Sequence, residues 1–313
     1  MVINMEKLPL IVICGPTASG KTALAIKAAQ LSGGEVVNAD SMQIYQYMDI
    51  GTAKPTKEEL AAAKHHLVGF VDPREPFSVA DYVPLTHQTI REIIERGKMP
   101  ILAGGTGLYI NSVVNDVTFG EEGTNPEIRA ELNAIAAEKG AEYLLEMLAE
   151  IDPEAAAGMH PNNLRRIVRA IEFYRATGKP MSVHQRETQQ IESRYEPLML
   201  MPNYERSVLY DRINRRVDIM FDSGLEDEVR KLLAMGCTKE MQSMQGIGYK
   251  ETAEYLDGAM TREECKELIK MSSRRYAKRQ LTWFRRDQRI HLIVPGAPID
   301  EEIKNYFQKF KKN

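Results

Sequence analysis

The stretch 10-LIVIC-14 runs directly into 15-GPTASGKT-22, which is followed by 23-ALAIKAAQL-31. The central octet matches G-x-x-x-x-G-K-[ST], and its flanks supply what that loop requires: an apolar strand before it and a helical pattern after it. Gly15 and Gly20 permit a tight turn that aims backbone N–H groups inward at an anion. The helix starting near Lys21 adds its positive dipole end. Gly15, Pro16, Thr17, Ala18, Ser19, Gly20, Lys21 and Thr22 are therefore the expected phosphate cradle. Lys21 supplies a point charge, and the Thr22 hydroxyl a ligand for Mg²⁺.

Working outward, short apolar runs at 10-LIVIC-14, 35-EVVNA-39, 67-LVGFV-71, 100-PILAG-104, 197-PLMLM-201 and 290-IHLIV-294 read as strands. Helical patterns separate most of them, so the expected fold class is α/β: a P-loop NTPase-like parallel sheet flanked by helices. Right-handed crossovers then bring the C-terminal ends of the strands to one rim. Between about 120 and 195 no strand pattern occurs. The segments 126-PEIRAELNAIAAEKG-140, 141-AEYLLEMLAEID-152 and 162-NNLRRIVRAIEFYRATGK-179 have helical spacing, with stop signals at Gly140 and Gly178. The expected organisation is an α/β core from 1–119 and 196–313, with C-terminal helices and an all-helical inserted domain over 120–195.

The 313 residues are 43% hydrophobic and 27% charged, with a formal charge of −3. Those values fit a folded soluble protein and predict no global affinity for polyanions. Three separated cysteines, Cys14, Cys237 and Cys265, form no C-x-x-C pair, which points to a reducing, cytoplasmic setting. No apolar run approaches the roughly 20 residues of a membrane span.

Nucleotide hydrolases with this loop also carry an apolar strand ending in Asp, which completes the Mg²⁺ shell. The matching strand here, 100-PILAGGTG-107, ends in glycines. The acid at another strand end is Asp40, in 36-VVNADSMQIY-45, on the same expected rim. It reads either as a base for an acceptor group or as a cap or turn residue. Thr106 likewise reads as a helix cap or as a donor to an anionic oxygen.

Basic residues cluster locally. Arg165, Arg166 and Arg169 lie in 163-NLRRIVRAIEF-173, and 274-RRYAKRQLTWFRRDQR-289 interleaves seven basic residues with Tyr276, Trp283 and Phe284. Either run alone reads equally as a solvated helix face; together with the aromatics they favour a polyanion site. Arg212, Arg215 and Arg216 share one helix, from which one could reach the phosphate loop.

Taken together, 15-GPTASGKT-22, 39-ADSMQIY-45, 48-MDIGTAKP-55, 103-AGGTGLY-109, 160-HPNNLRRIVRAIE-172, 245-QGIGYKE-251 and 278-KRQLTWFRR-286 resemble the tRNA dimethylallyltransferases. These enzymes prenylate N6 of adenosine 37 beside the anticodon. The match keeps the family's order along most of the chain, with Asn38 where Ser is common and Asn163 where Asp is frequent. No added C-terminal Cys/His set is present, so the pattern resembles the shorter bacterial form.

The resemblance implies dimethylallyl diphosphate as donor and the tRNA anticodon stem–loop as acceptor, with Mg²⁺ as cofactor and no obligate protein partner. It implies that Lys21, Thr106 and Arg216 grip the leaving diphosphate, that Asp40 is the base, and that Gln43 reads the adenine edge. Expected RNA contacts further include Ser41, Met42, Arg129, Arg165, Arg166, Ile167, Val168, Arg169, Lys250, Arg279, Gln280 and Arg285. The competing readings are a P-loop kinase or NTPase, a prenyltransferase acting on free adenylate, and a non-catalytic RNA-binding module.

Overall fold

The computed structural model describes residues 7–117, 125–189 and 192–311. The chain divides into two compact units, one from 1–114 with 194–313 and one from 115–193. The second begins and ends slightly earlier than the insertion read from sequence.

The first unit is built on β1 (Leu8–Cys14), β2 (Glu35–Asn38), β3 (His65–His66), β4 (Pro100–Gly104), β5 (Tyr195–Pro202) and β6 (Ile290–Ile293). They form one sheet in the order β3-β2-β4-β1-β5-β6, and every pairing is parallel. β1 lies at its centre, with Ile11 opposite Ile101 on one side and Leu198 on the other. That position explains why LIVIC is a continuous apolar run: residues 10–14 are all fully buried.

Alternate side chains serve opposite faces. Leu10, Val12 and Cys14 join a core lined by α3 (Val79–Glu95), α4 (Gly107–Val114), α10 (Arg206–Asp222), α11 (Leu225–Ala234), α12 (Tyr249–Leu256) and α13 (Arg262–Phe284). Ile11 and Ile13 join a second core with Ala25, Ala28 and Ala29 of α1 (Lys21–Ser32) and Ile299 and Ile303 near or on α14 (Asp300–Lys311). The short α2 (Lys57–Ala62) precedes β3 and starts with a capping box at Thr56 and Glu59.

One strand expectation needs correction. The run 67-LVGFV-71 is not extended, because Leu67 and Gly69 both have φ of 58°. The strand is the preceding pair His65–His66, and Val71 makes only an isolated bridge to Tyr45. Apolar composition suggested a strand where left-handed backbone breaks one.

The second unit contains α5 (Pro126–Lys139), α6 (Ala141–Ile151), α7 (Pro153–Ala157), α8 (Leu164–Thr177) and α9 (Met181–Gln189), with no strand among its described residues. Asn125 caps α5 ahead of Pro126, and the left-handed Gly178 ends α8. Leu132, Leu144 and Leu148 pack on Ile167, Val168, Ala170 and Ile171. Within this unit Glu172 is fully buried, yet it accepts from Asn125 N–H at 2.9 Å and pairs with Arg129 at 3.0 Å and Arg169 at 3.2 Å. These partners hold its carboxyl below the usual carboxylate range against the opposing effect of burial.

Candidate active site

The phosphate loop leaves β1 and re-enters helix at Gly20, whose φ of 81° turns the chain into α1 without a side-chain cap. The N–H groups of Gly20, Lys21 and Thr22 find no acceptor among the described residues, as the open end of a helix dictates. Not every loop N–H is free, however. Thr17 N–H donates to Gln280 Oε1 at 2.9 Å, and Ser19 N–H donates to Pro16 O at 3.4 Å. The buried Ser19 hydroxyl has no partner among the described residues.

Lys21 Nζ donates to Pro16 O at 2.7 Å. Burial lowers its ammonium to about 8; Asp40 works against that shift and Arg216 adds to it. Burial also lowers Arg216, with Asp40 again opposing. Lys21, Arg216 and Asp40 thus share a partly desolvated space, on whose wall the cations Lys54, Arg212, Arg215 and Arg279 and the carboxylate of Glu59 also lie, so that positive charge is in excess. Directly beneath, burial pushes the Cys14 thiol up to about 12, leaving it an inert packing group.

A cavity of about 860 Å³ opens over the strand ends. Thr17, Ala18, Gly20, Lys21 and Thr22 line it on one side, with Asp40, Ser41, Met42, Gln43, Arg216, Arg279 and Gln280 also on its wall. The Thr22 hydroxyl makes no hydrogen bond to another described residue. No group of three or more His, Cys, Asp or Glu side chains suited to a metal occurs among the described residues. A hydroxyl beside a phosphate loop suits a hard cation whose other ligands are phosphate oxygens and water, the usual habit of Mg²⁺.

Asp40 is placed by its neighbours. Asn38, at the end of β2, accepts from Asp40 N–H at 3.2 Å and donates through Nδ2 to Asp40 O at 3.2 Å and Leu67 O at 3.0 Å. Asp40 Oδ1 accepts from Met42 N–H at 3.0 Å. The turn reading of Asp40 is therefore seen, with Oδ1 closing an Asx-turn, while Oδ2 has no partner among the described residues. Asn38 stood out in the sequence only as a departure from the family pattern, with no site role, although its amide is what fixes Asp40.

Thr106 follows the strand end at Gly104. Its Oγ1 accepts from Ser41 N–H at 2.9 Å and donates to Ser41 Oγ at 3.2 Å, tying the two strand-end loops together. Thr106, Gly15, Pro16 and Ser19 are not among the residues on the cavity wall, although Thr106 also lies against the Tyr276 side chain, which is. A side chain at Gly104 would meet Ala39 O at 2.1 Å, so β4 has no room for the Asp that hydrolases place there.

Several expected RNA contacts have other employment. Gln280 is 5% exposed and bridges Thr17 N–H to Gly105 O, the latter at 2.8 Å, so its amide clamps the phosphate loop from the cavity wall. Gln43 Nε2 already donates to Thr52 O at 3.1 Å and Ala53 O at 3.0 Å, leaving Oε1 as its open atom. With Nε2 so engaged, the atom Gln43 has left for an adenine edge is an acceptor. Ile167 and Val168 are core residues of the helical unit and present no side chain to a ligand. Arg129 and Arg169 neutralise Glu172, whereas Arg165 and Arg166 are exposed without an ion pair among the described residues. Lys250 and Arg285 are exposed and off the cavity wall. Of the helix-borne trio, Arg216 Nη2 reaches Ala53 O at 3.5 Å and Arg212 Nε donates to Ala18 O at 2.8 Å, while Arg215 is exposed at the rim.

The family profile described as IPP transferase matches residues 43–287, and that described as isopentenyl transferase matches 8–75. A tRNA dimethylallyltransferase of Acetivibrio thermocellus is 50% identical over 284 residues, which cover 91% of each chain. The solved tRNA isopentenylpyrophosphate transferase of Bacillus halodurans superimposes with a TM-score of 0.71 at 44% identity, covering 97% of this chain and 96% of the other. A eukaryotic dimethylallyltransferase described as acting on tRNA gives a TM-score of 0.77 at 32% identity, covering 88% of this chain and 69% of its own. With a strand–loop–helix cradle, a strand end closed to a hydrolytic Asp and this extent of identity, the chain belongs to the IPP transferase family.

Proposed function

We propose that the protein transfers a dimethylallyl group from dimethylallyl diphosphate to N6 of adenosine 37 in tRNA and releases diphosphate. The observation that carries this reading is the pairing, in one cavity, of an open carboxylate oxygen on Asp40 with two incompletely neutralised cations, Lys21 and Arg216. The cations suit a departing polyanion. The carboxylate suits an acceptor that must lose a proton.

The adenine amine is a poor nucleophile because its lone pair is delocalised into the ring. As N6 forms its bond to the allylic carbon, the carbon–oxygen bond to diphosphate breaks and the electron pair leaves with the oxygen. Lys21, Arg216 and the open N–H groups at the start of α1 stabilise that charge from the partly desolvated floor of the cavity. Asp40 Oδ2 takes the N6 proton. The Thr22 hydroxyl would hold Mg²⁺, which when bound would supply further positive charge at the leaving group. Gln43 Oε1 accepts the second N6 hydrogen and orients the base. A base in an anticodon loop reaches such a cavity by leaving its stack. Arg165 and Arg166 of the helical unit hold the stem–loop through its phosphates, and the exposed Arg279, Lys250 and Arg285 add positive charge on the core unit.

No helix among the described residues is long and apolar enough to cross a membrane, and Cys14, Cys237 and Cys265 are free, buried thiols. Those thiols support work in the cytoplasm. Incubating the protein with Mg²⁺, dimethylallyl diphosphate and a tRNA anticodon stem–loop should give prenylated RNA. Phosphate release from ATP without prenyl transfer would refute the proposal.

A further inference from the structure

Glu228 lies in the first turn of α11, and four donors fill its two oxygens. Oε2 accepts from the N–H groups of Asp49 and Ile50, both at 2.8 Å; Oε1 accepts from Gly51 N–H at 3.0 Å and the Tyr249 hydroxyl at 2.6 Å. Three successive backbone N–H groups converging on one carboxylate form an anion nest. No Lys or Arg pairs with Glu228 among the described residues, so the nest, Tyr249 and the helix start carry the balancing positive field. Close packing enforces the geometry: a Cβ on Gly51 would lie 2.6 Å from the Tyr249 ring.

The nest stands immediately before the site. Thr52 and Ala53, the next two residues, line the cavity, and their carbonyls accept both hydrogens of the Gln43 amide. Ala53 O also receives Arg216 Nη2. A loop free to rotate at residues 49–51 would lose the alignment of those carbonyls, and the Gln43 amide would turn with it.

We infer that Glu228 is a positioning residue that acts through Gln43: by gripping the 49–51 backbone, it sets the direction in which Gln43 Oε1 faces the acceptor base. This inference rests on the acceptor role given to Gln43 above. Glu228→Gln preserves size but faces the nest with an NH₂ group in place of one acceptor, and Tyr249→Phe removes one donor while leaving the backbone bonds.

The test is a double-mutant cycle on kcat/KM for a tRNA stem–loop at saturating dimethylallyl diphosphate. Glu228→Gln should lower kcat/KM about tenfold or more in the wild-type background and have little further effect in Gln43→Ala, a coupling of about tenfold. The same cycle with Tyr249→Phe, expected to lose about threefold, serves where Glu228→Gln does not fold. Losses that simply multiply in whichever cycle is measurable would overturn the inference, since a purely structural role does not depend on Gln43. Absence of prenyl transfer by the wild-type protein would instead refute the function and, with it, this role.

Discussion

Replacing Lys21 by Arg exposes the electrostatic logic of the site, because Arg stays protonated where Lys21 does not. Lys21 falls from its ordinary 10.5 to about 8, mainly through burial, with Arg216 lowering it further and Asp40 opposing. That shift corresponds to about 3 kcal/mol against the charged form. Below pH 8 the folded and unfolded states both carry the proton, and the full penalty burdens the fold. From about 8 to 10.5 the unfolded state binds more protons than the folded one, so this group's contribution to stability rises with pH.

Binding the donor reverses the balance, since a diphosphate beside Lys21 favours the ammonium. The neutral fraction of free Lys21 is about 0.1 at pH 7 and about 0.8 at pH 8.5, and the donor's terminal phosphate, with a second pKa of about 6, is ionised at both. Titration calorimetry with dimethylallyl diphosphate and Mg²⁺, in buffers of different ionisation enthalpy, measures proton uptake directly. The wild-type protein should take up about 0.8 proton at pH 8.5 and about 0.1 at pH 7, and Lys21→Arg should take up almost none. Equal uptake by both proteins at pH 8.5 would refute this account of the cradle.

Gln280→Leu leaves Thr17 N–H and Gly105 O without their shared partner and should cost about 1–3 kcal/mol for each group that stays dry, read by urea unfolding. It should also weaken donor binding, because the phosphate loop loses its clamp. Arg165→Ala with Arg166→Ala should weaken tRNA binding and flatten the slope of log affinity against log salt by about 1 for each lost phosphate contact, with thermal stability nearly unchanged. Arg169→Ala is the instructive contrast: it uncovers the buried Glu172 and should destabilise the helical unit as well.

Local pattern made the sheet and the phosphate loop legible. LIVIC is buried on both faces because β1 is the central strand, and its junction with GPTASGKT identifies the cradle without tertiary information. The strand at 67–71 misled because apolar composition does not report the left-handed backbone at Leu67. Ile167 and Val168 stood beside arginines in a run read as RNA-binding, but helical periodicity turns them into the core. Long-range partners were not legible at all. Nothing near Gln280 announces that its amide crosses to Thr17 and Gly105, and nothing near Asp49 announces Glu228. Such pairings exist only once the strands bring their loops to one rim. Asn38 is intermediate: its spacing of two from Asp40 fits a local side-chain bond, and that signal was available.

The central claim is that Asp40 removes a proton from the acceptor amine while the loop holds the leaving diphosphate. Single-turnover prenyl transfer to a tRNA stem–loop by Asp40→Asn tests it most directly, because Asn keeps the side-chain size and can still accept from Met42 N–H. The transfer rate should fall by about 10²-fold or more, with tRNA and donor affinities nearly unchanged. A near-normal transfer rate would contradict the account.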